Sequence, residues 1–320
     1  MKEFGIDISK WQGDFDFDAA LKEGVKFAVV KGGGGDSGLY VDSKFLRNYA
    51  EAKKRNLPVG TYWFSKALTV DEAEKEAEYF YKNVLQDRKF ELPVYMDVEH
   101  KAMLALGKDK LTAIVKAWCE YLEKRGYFVG IYSSKAYFDS YVNDAELQGY
   151  AHWVAQWSKT CTYKNTDCLG MWQFGGETNP LRTNKVAGVV CDQDYMLVDY
   201  PTMIKRAGKN GFVKKSIEEL AKEVIAGKYG NGVERKEALG DDYEAVQAKV
   251  NEILNAPKKE LKVGSVVRVN VGARTYTNQR LAAFIYYRNH DVKEIKGDRV
   301  VISYNGTVIA AVRASDLTVM

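Results

Sequence analysis

Up to about residue 200 the chain alternates short apolar runs with longer amphipathic stretches. The apolar runs, at 4–8, 27–30, 58–64, 93–98, 128–132, 152–156, 170–174 and 189–192, read as buried strands. Helix-period patterns separate the early ones. One covers 43–55. A second covers 69–85 and opens with Thr69-Val70-Asp71-Glu72, the spacing of a capping box. A third covers 109–125 and stops at Gly126. The last strands follow one another with little helix between them. Repeated strand–helix units in this number predict an α/β fold, a (β/α) barrel that turns irregular in its last third. A doubly wound open sheet is the alternative, and it wants a glycine-rich phosphate turn after its first strand. Asp7-Ile8-Ser9-Lys10-Trp11 is no such turn. Lys31-Gly32-Gly33-Gly34-Gly35 lacks the Gly-Lys-Ser/Thr ending of a phosphate loop and reads as a flexible loop.

Beyond residue 205 the pattern changes. Residues 206–215, with Arg206-Ala207-Gly208-Lys209-Asn210-Gly211, read as a linker. Helical patterns follow at 216–226, 233–239 and 242–254. The first opens with the box Ser216-Ile217-Glu218-Glu219 and ends at Gly227. Together they predict a three-helix module over 216–255. A second linker, 256–260, leads to short β-rich runs at 266–271, 284–287, 300–304 and 307–312, with Asn305-Gly306 as a hairpin signal. Residues 261–320 therefore read as a small all-β, SH3-like barrel, and 1–205 as the large domain.

Composition narrows the class without naming it. With 46% hydrophobic and 28% charged residues, the 320-residue chain has the make-up of an ordinary globular protein. Residues 1–200 carry 26 Lys and Arg against 29 Asp and Glu, whereas residues 201–320 carry 21 against 14. A basic tail behind a slightly acidic front suits an anionic partner. Nucleic acid is not expected, since no dense basic run or recognition-helix motif occurs. No stretch approaches a membrane span, and Met1-Lys2-Glu3-Phe4-Gly5-Ile6-Asp7 has no apolar signal core. Of the four cysteines, Cys119 and Cys191 lie in apolar segments as buried thiols, while Cys161 and Cys168 flank a polar loop that a bridge would close.

The chemistry concentrates at strand ends. Leu92-Pro93-Val94-Tyr95-Met96-Asp97-Val98-Glu99 reads as a buried strand ending in two acids that face the same side. Adjacent carboxylates repel, and one way to relieve this is for one to keep its proton at neutral pH. Such a pair is the raw material of glycosidic-bond cleavage. If the barrel forms, catalytic groups sit at the C-terminal strand ends. Those positions hold Asp7, Tyr62 and Trp63, Asp97 and Glu99, Tyr132, Trp157, Gln173, and Asp192 with Asp194. Aromatic content of 12% fits a cleft in which rings stack on sugar faces, although core packing accounts for most of these rings.

These motifs carry a resemblance. Gly5-Ile6-Asp7-Ile8-Ser9-Lys10-Trp11-Gln12-Gly13, Val59-Gly60-Thr61-Tyr62-Trp63-Phe64, Pro93-Val94-Tyr95-Met96-Asp97-Val98-Glu99, Trp153-Val154-Ala155-Gln156-Trp157 and Met171-Trp172-Gln173-Phe174 resemble the lysozymes of glycoside hydrolase family 25 over roughly residues 1–205. The resemblance implies cleavage of the β-1,4 bond from N-acetylmuramic acid to N-acetylglucosamine in bacterial peptidoglycan, with no metal or other cofactor. It makes Glu99 the general acid and Asp97 its neighbour, as base, electrostatic stabiliser or orienter of the substrate acetamido group. Asp7 and Asp192 become supporting acids, and Tyr62, Trp63, Tyr132, Trp157 and Gln173 line the sugar subsites. Trp63 departs from the family, which more often has His there. Gly227-Lys228-Tyr229-Gly230-Asn231-Gly232, Arg235, Leu239-Gly240, Tyr243 and Val246-Gln247-Ala248-Lys249-Val250-Asn251 resemble the choline-independent wall-binding repeat of phage lysozymes. There Arg235 is the expected contact to the wall, and packing within the bundle is its alternative role.

Other classes fit less well. The chitinase pattern needs acids where Leu92 and Tyr95 stand. A zinc amidase needs a histidine-rich ligand set, and His100, His152 and His290 have no ligand spacing. A cysteine peptidase needs a Cys–His pair in its cleft, and no such motif adjoins Cys161 or Cys168. The expected protein is a modular endolysin made in a host cytoplasm, reaching peptidoglycan and its anionic polymers once the membrane opens. A secreted autolysin and a wall-binding protein with a dead barrel are the competing readings.

Overall fold

The computed structural model describes residues 2–35, 38–255 and 259–320, which fall into two compact units, Met1–Val246 and Gln247–Met320. In the first unit the strands are β1 (Glu3–Ile8), β2 (Phe27–Gly34), β3 (Tyr40–Val41), β4 (Val59–Phe64), β5 (Val94–Asp97), β6 (Val129–Ser134), β7 (Ala151–Ala155), β8 (Leu169–Gly175), β9 (Lys185–Val186), β10 (Val189–Val190) and β11 (Asp192–Met196). Strands β1, β2, β4, β5, β6, β7 and β8 pair in parallel succession. Strand β11 closes the ring by pairing antiparallel with both β8 and β1. The barrel is thus closed and irregular in its last third, where the closing strand runs antiparallel.

The expected last strand, 189–192, is displaced. Val189–Val190 belongs to a hairpin with Lys185–Val186, turned at Ala187 and Gly188, both at positive φ. The barrel strand starts at Asp192. It escaped notice because its inward positions are acids rather than apolar residues.

Strand alternation sorts the side chains. Phe27, Val29, Leu92, Tyr95, Trp153, Met171 and Met196 pack together inside the ring. Phe4, Ile6, Ile8, Val30, Trp63, Val94, Met96 and Phe174 belong to the outer cluster, under the helices. Gly130 leaves room for the ring of Tyr95, which a Cβ there would meet at 2.4 Å. The glycines after Val30 are not a flexible loop: β2 continues through Gly34. A Cβ at Gly33 would come within 2.0 Å of the Tyr40 carbonyl and 2.7 Å of Trp63, so the backbones of β2 and β3 approach only because side chains are missing.

The helices of this unit are α1 (Phe17–Lys22), α2 (Phe45–Lys54), α3 (Val70–Phe80), α4 (Lys101–Leu104), α5 (Lys108–Glu123), α6 (Lys135–Tyr141), α7 (Tyr200–Ala207), α8 (Ile217–Ile225), α9 (Gly232–Leu239) and the start of α10 (Tyr243–Asn255). Thr69 caps α3 by accepting from the Glu72 amide at 3.2 Å, and one π-helical turn, Tyr81–Leu85, extends it. The box at Ser216 and Glu219 is formed on both sides. Helices α1, α4, α6 and α7 are too short to show a period in sequence.

Helix α7 and the residues after it close the base of the barrel. Tyr200 and Ile204 join its interior cluster. Asn210, expected in a linker, is fully buried; its side chain accepts from the Phe128 amide at 2.6 Å and donates to the Leu92 carbonyl at 2.8 Å. Its backbone bonds Gly126 and Phe90.

In the second unit, β12 (Val266–Val269), β13 (Asn289–Lys296), β14 (Arg299–Tyr304), β15 (Thr307–Arg313) and β16 (Leu317–Val319) form one antiparallel sheet in the order β15-β14-β13-β12-β16. Asn305 and Gly306, both at positive φ, turn β14 into β15 as expected. The run at 284–287 is not a strand. It is a 3-10 turn, Ala283–Tyr286, that buries Ile285 and leaves Phe284 exposed. Most of the second expected linker, 256–260, lies outside the described residues. All four cysteines are free thiols, so Cys161 and Cys168 are not bridged, while Cys119 and Cys191 are buried. Among the described residues no helix is long and apolar enough to cross a membrane.

Candidate active site

The inward rows of the barrel are apolar below and polar at one mouth. Asp7 lies near the end of β1, Tyr62 on β4, Asp97 at the end of β5 with Glu99 two residues beyond, Tyr132 on β6 and Gln173 on β8. Asp192 is the first residue of β11, not the end of a strand. Because β11 runs backwards, that beginning lies at the same rim, in register with Asp7. Asp7, Tyr62, Asp97, Glu99, Tyr132, Gln173 and Asp192 thus line one small cavity of about 80 Å³, together with Trp153.

Two expected subsite residues lie elsewhere. Trp63 does not reach the mouth. Alternation turns it outward, where it is fully buried against Phe80 and donates its indole N–H to Glu76 Oε2 at 3.0 Å. Trp157 stands beside the cavity, 43% exposed, and donates to Gln173 Oε1 at 3.0 Å. Arg235, on α9, is half-buried, with its guanidinium on the Gly230 carbonyl and Asn231 Oδ1, each at 2.9 Å from Nη2.

Gln173 ties the mouth together. Its Nε2 donates to Asp7 Oδ2 at 2.9 Å, and its Oε1 accepts from the Tyr132 hydroxyl at 3.0 Å as well as from Trp157. Trp153 forms the floor: its ring centroid is 4.4 Å from Tyr132, 5.1 Å from Tyr95 and 5.9 Å from Tyr62. Its indole N–H donates to the fully buried Asp194 Oδ1 at 2.8 Å.

The carboxyls crowd one another. Burial, then repulsion from Asp194, lifts Asp7 well above the usual carboxylate range, and burial lifts Asp194 likewise. Burial, then Glu99, lifts Asp97. Burial lifts Glu99, and Lys31 restrains it. Asp192 is pushed up to about 8 by burial, with Asp7 and Glu99 adding to it. The Lys31 ammonium lies 4.9 Å from the Phe64 ring centre and 5.8 Å from Tyr62, close enough to favour the charged forms of Asp97 and Glu99. All five acids of the mouth are therefore shifted toward their protonated forms, with Lys31 opposing the shift at Asp97 and Glu99. Asp97 Oδ1 is buried without a hydrogen-bond partner, so it is left for a ligand to satisfy.

Trp153 and Lys31 are not among the strand-end positions that the sequence singles out. Both were within reach of the period-two rule: Lys31 is two positions past the inward Val29, and Trp153 aligns with Tyr132 across β6 and β7.

The chain matches families of known proteins. The sequence model for glycosyl hydrolases family 25 matches residues 6–180, and that of the CW_7 repeat matches 218–254. The chain is 28% identical over 153 residues to the autolytic lysozyme of Clostridium acetobutylicum, covering 48% of this chain and 44% of that one. It is 27% identical over 265 residues to the lysozyme of Streptococcus phage Cp-7, covering 78% and 69%. A solved family 25 glycosyl hydrolase from Bacillus anthracis superposes with a TM-score of 0.50 at 26% identity, over 61% of this chain and 89% of that one. The chain thus spans less than half the length of the clostridial relative. With the family's sequence model matching more than half of its residues, the chain belongs to glycosyl hydrolases family 25.

Proposed function

We propose that this chain is a modular muramidase of the endolysin type, hydrolysing the β-1,4 bond between N-acetylmuramic acid and N-acetylglucosamine in bacterial peptidoglycan. The observation that carries this is the pairing of Glu99 at the cavity mouth, with its raised proton affinity, and buried Asp97 with its open Oδ1. Glu99 donates its proton to the glycosidic oxygen as the bond breaks. Positive charge then develops on the sugar, and the ionised member of the acid cluster stabilises it. Asp97 Oδ1 accepts from the N–H of a substrate acetamido group, whose carbonyl oxygen attacks the reacting carbon as the leaving sugar departs; water, giving a proton back to Glu99, then adds to that carbon and releases the acetamido group. Asp7 and Asp192 hold the rim, Asp7 through Gln173. Tyr62, Tyr132 and Trp157 offer ring faces to the sugars.

The match to the CW_7 repeat supports a wall-binding role for α8–α10. We extend that role to the C-terminal sheet as an SH3-like module, and the basic excess of residues 201–320 adds attraction to anionic wall polymers. The test of the activity is mass spectrometry of digested, borohydride-reduced peptidoglycan. Reduced muramic acid ends are expected. Reduced glucosamine ends, or free peptides, would refute the assignment.

A further inference from the structure

Within the first unit, away from the acidic mouth, a second cavity of about 220 Å³ opens between α7 and the helices of the repeat. Leu220, Ala238, Leu239 and Tyr229 supply an apolar wall, and Thr202, Lys205, Arg206 and Lys215 supply the polar one. This volume falls below the 300–1,000 Å³ or so of pockets for drug-sized ligands, so it suits a single small group and not a folded-in glycan chain.

Charge decides which group. Lys215 is already engaged by Glu223 at 2.6 Å. Glu223 also takes Lys228 and the Tyr229 hydroxyl, each at 3.1 Å, and is therefore saturated. Lys205 and Arg206 form no ion pair among the described residues. The backbone is shaped around Arg206: at Gly240, φ is +50°, and a Cβ would strike Arg206 Nη1 at 2.2 Å. A half-buried guanidinium admitted by a glycine, next to the Lys205 ammonium, which lies 5.7 Å from the Phe212 ring centre and meets no carboxylate among the described residues, is a fork for an oxyanion. A phosphate ester offers oxygens to both cations at once.

We propose that this pocket binds a phosphate ester of an anionic cell-wall polymer, with Arg206 and Lys205 as its ligands and Tyr229 as its wall. The assignment rests on the wall-binding role proposed above, and it is independent of the muramidase chemistry. The probe is a synthetic glycerol-phosphate oligomer titrated by calorimetry into the full chain. Arg206→Gln with Lys205→Gln should weaken its binding at least tenfold. Thr202→Glu should do the same; it places a negative charge on the exposed first turn of α7, where a carboxylate does not disturb the helix. Thermal melting controls for folding. Equal binding by the parent and Thr202→Glu chains, or no binding by the parent, overturns the proposal. So does a muramyl dipeptide that the variants weaken while the oligomer goes unbound, since the pocket would then take carboxylates. A chain that pellets with whole walls yet ignores the oligomer refutes the pocket alone; one that pellets with no walls refutes the wall-binding role itself.

Discussion

At the scale of residues, the acids of the mouth divide labour through their surroundings. Glu99 is exposed at the mouth, while Asp97, Asp7 and Asp194 are buried. Replacing Glu99 by Gln keeps the shape and removes the transferable proton. Release of reducing ends from purified walls should fall by about 10²–10⁴-fold, the usual worth of a general acid. An unchanged rate would move that role to another carboxyl. The raised proton affinities also bear on stability. A folded acid with a raised pKa keeps a proton that the unfolded chain has lost, so its stabilisation is complete below the unfolded value and drains as pH rises through the folded one. For Asp192 that window runs from 3.8 to about 8. The melting temperature should therefore decline from about pH 4 to about pH 8, and Asp192→Asn should flatten the decline, by on the order of a few degrees. Calorimetry across that range checks it; parallel slopes for both proteins would remove Asp192 from the account.

At the scale of elements, apolar strands were legible wherever both faces are buried, because each reads as a run. Strand β11 was misplaced because its inward face is Asp192, Asp194 and Met196, acids that earn their position from the site and not from the core. Trp63 sits at the same strand end as Tyr62, yet neighbours in a strand face opposite ways, and Trp63 points outward. The glycines after Val30 looked like a loop because composition does not reveal the close approach of β3. Strand β13 was missed for a similar reason: alternating charges surround its inward His290 and Val292. Asn210 was hidden in a polar stretch. Asn210→Ala orphans the Phe128 amide and the Leu92 carbonyl at the barrel base, each worth about 1–3 kcal/mol. Urea unfolding should show a loss of about 2–5 kcal/mol, and a fragment ended at 205 should melt below one ended at 215. If both fragments melt alike, the residues after α7 are not part of the base.

At the scale of the whole molecule, charge and chemistry are kept apart along the chain. The acids of the mouth all fall before residue 200, and the basic excess falls after it. Pocket chemistry at a buried mouth is little affected by salt, whereas attraction between an exposed basic surface and a polyanion weakens as the screening length shrinks from about 10 Å at 0.1 M salt to about 3 Å at 1 M. Retention of the full chain on purified walls should therefore fall several-fold over that range, while hydrolysis of a short soluble glycan, which spans only the mouth, changes little. Pelleting assays and soluble-substrate kinetics on the same preparation separate the two. If both fall in parallel, salt acts on the mouth itself, and the basic C-terminal residues do not guide the enzyme to its polymer.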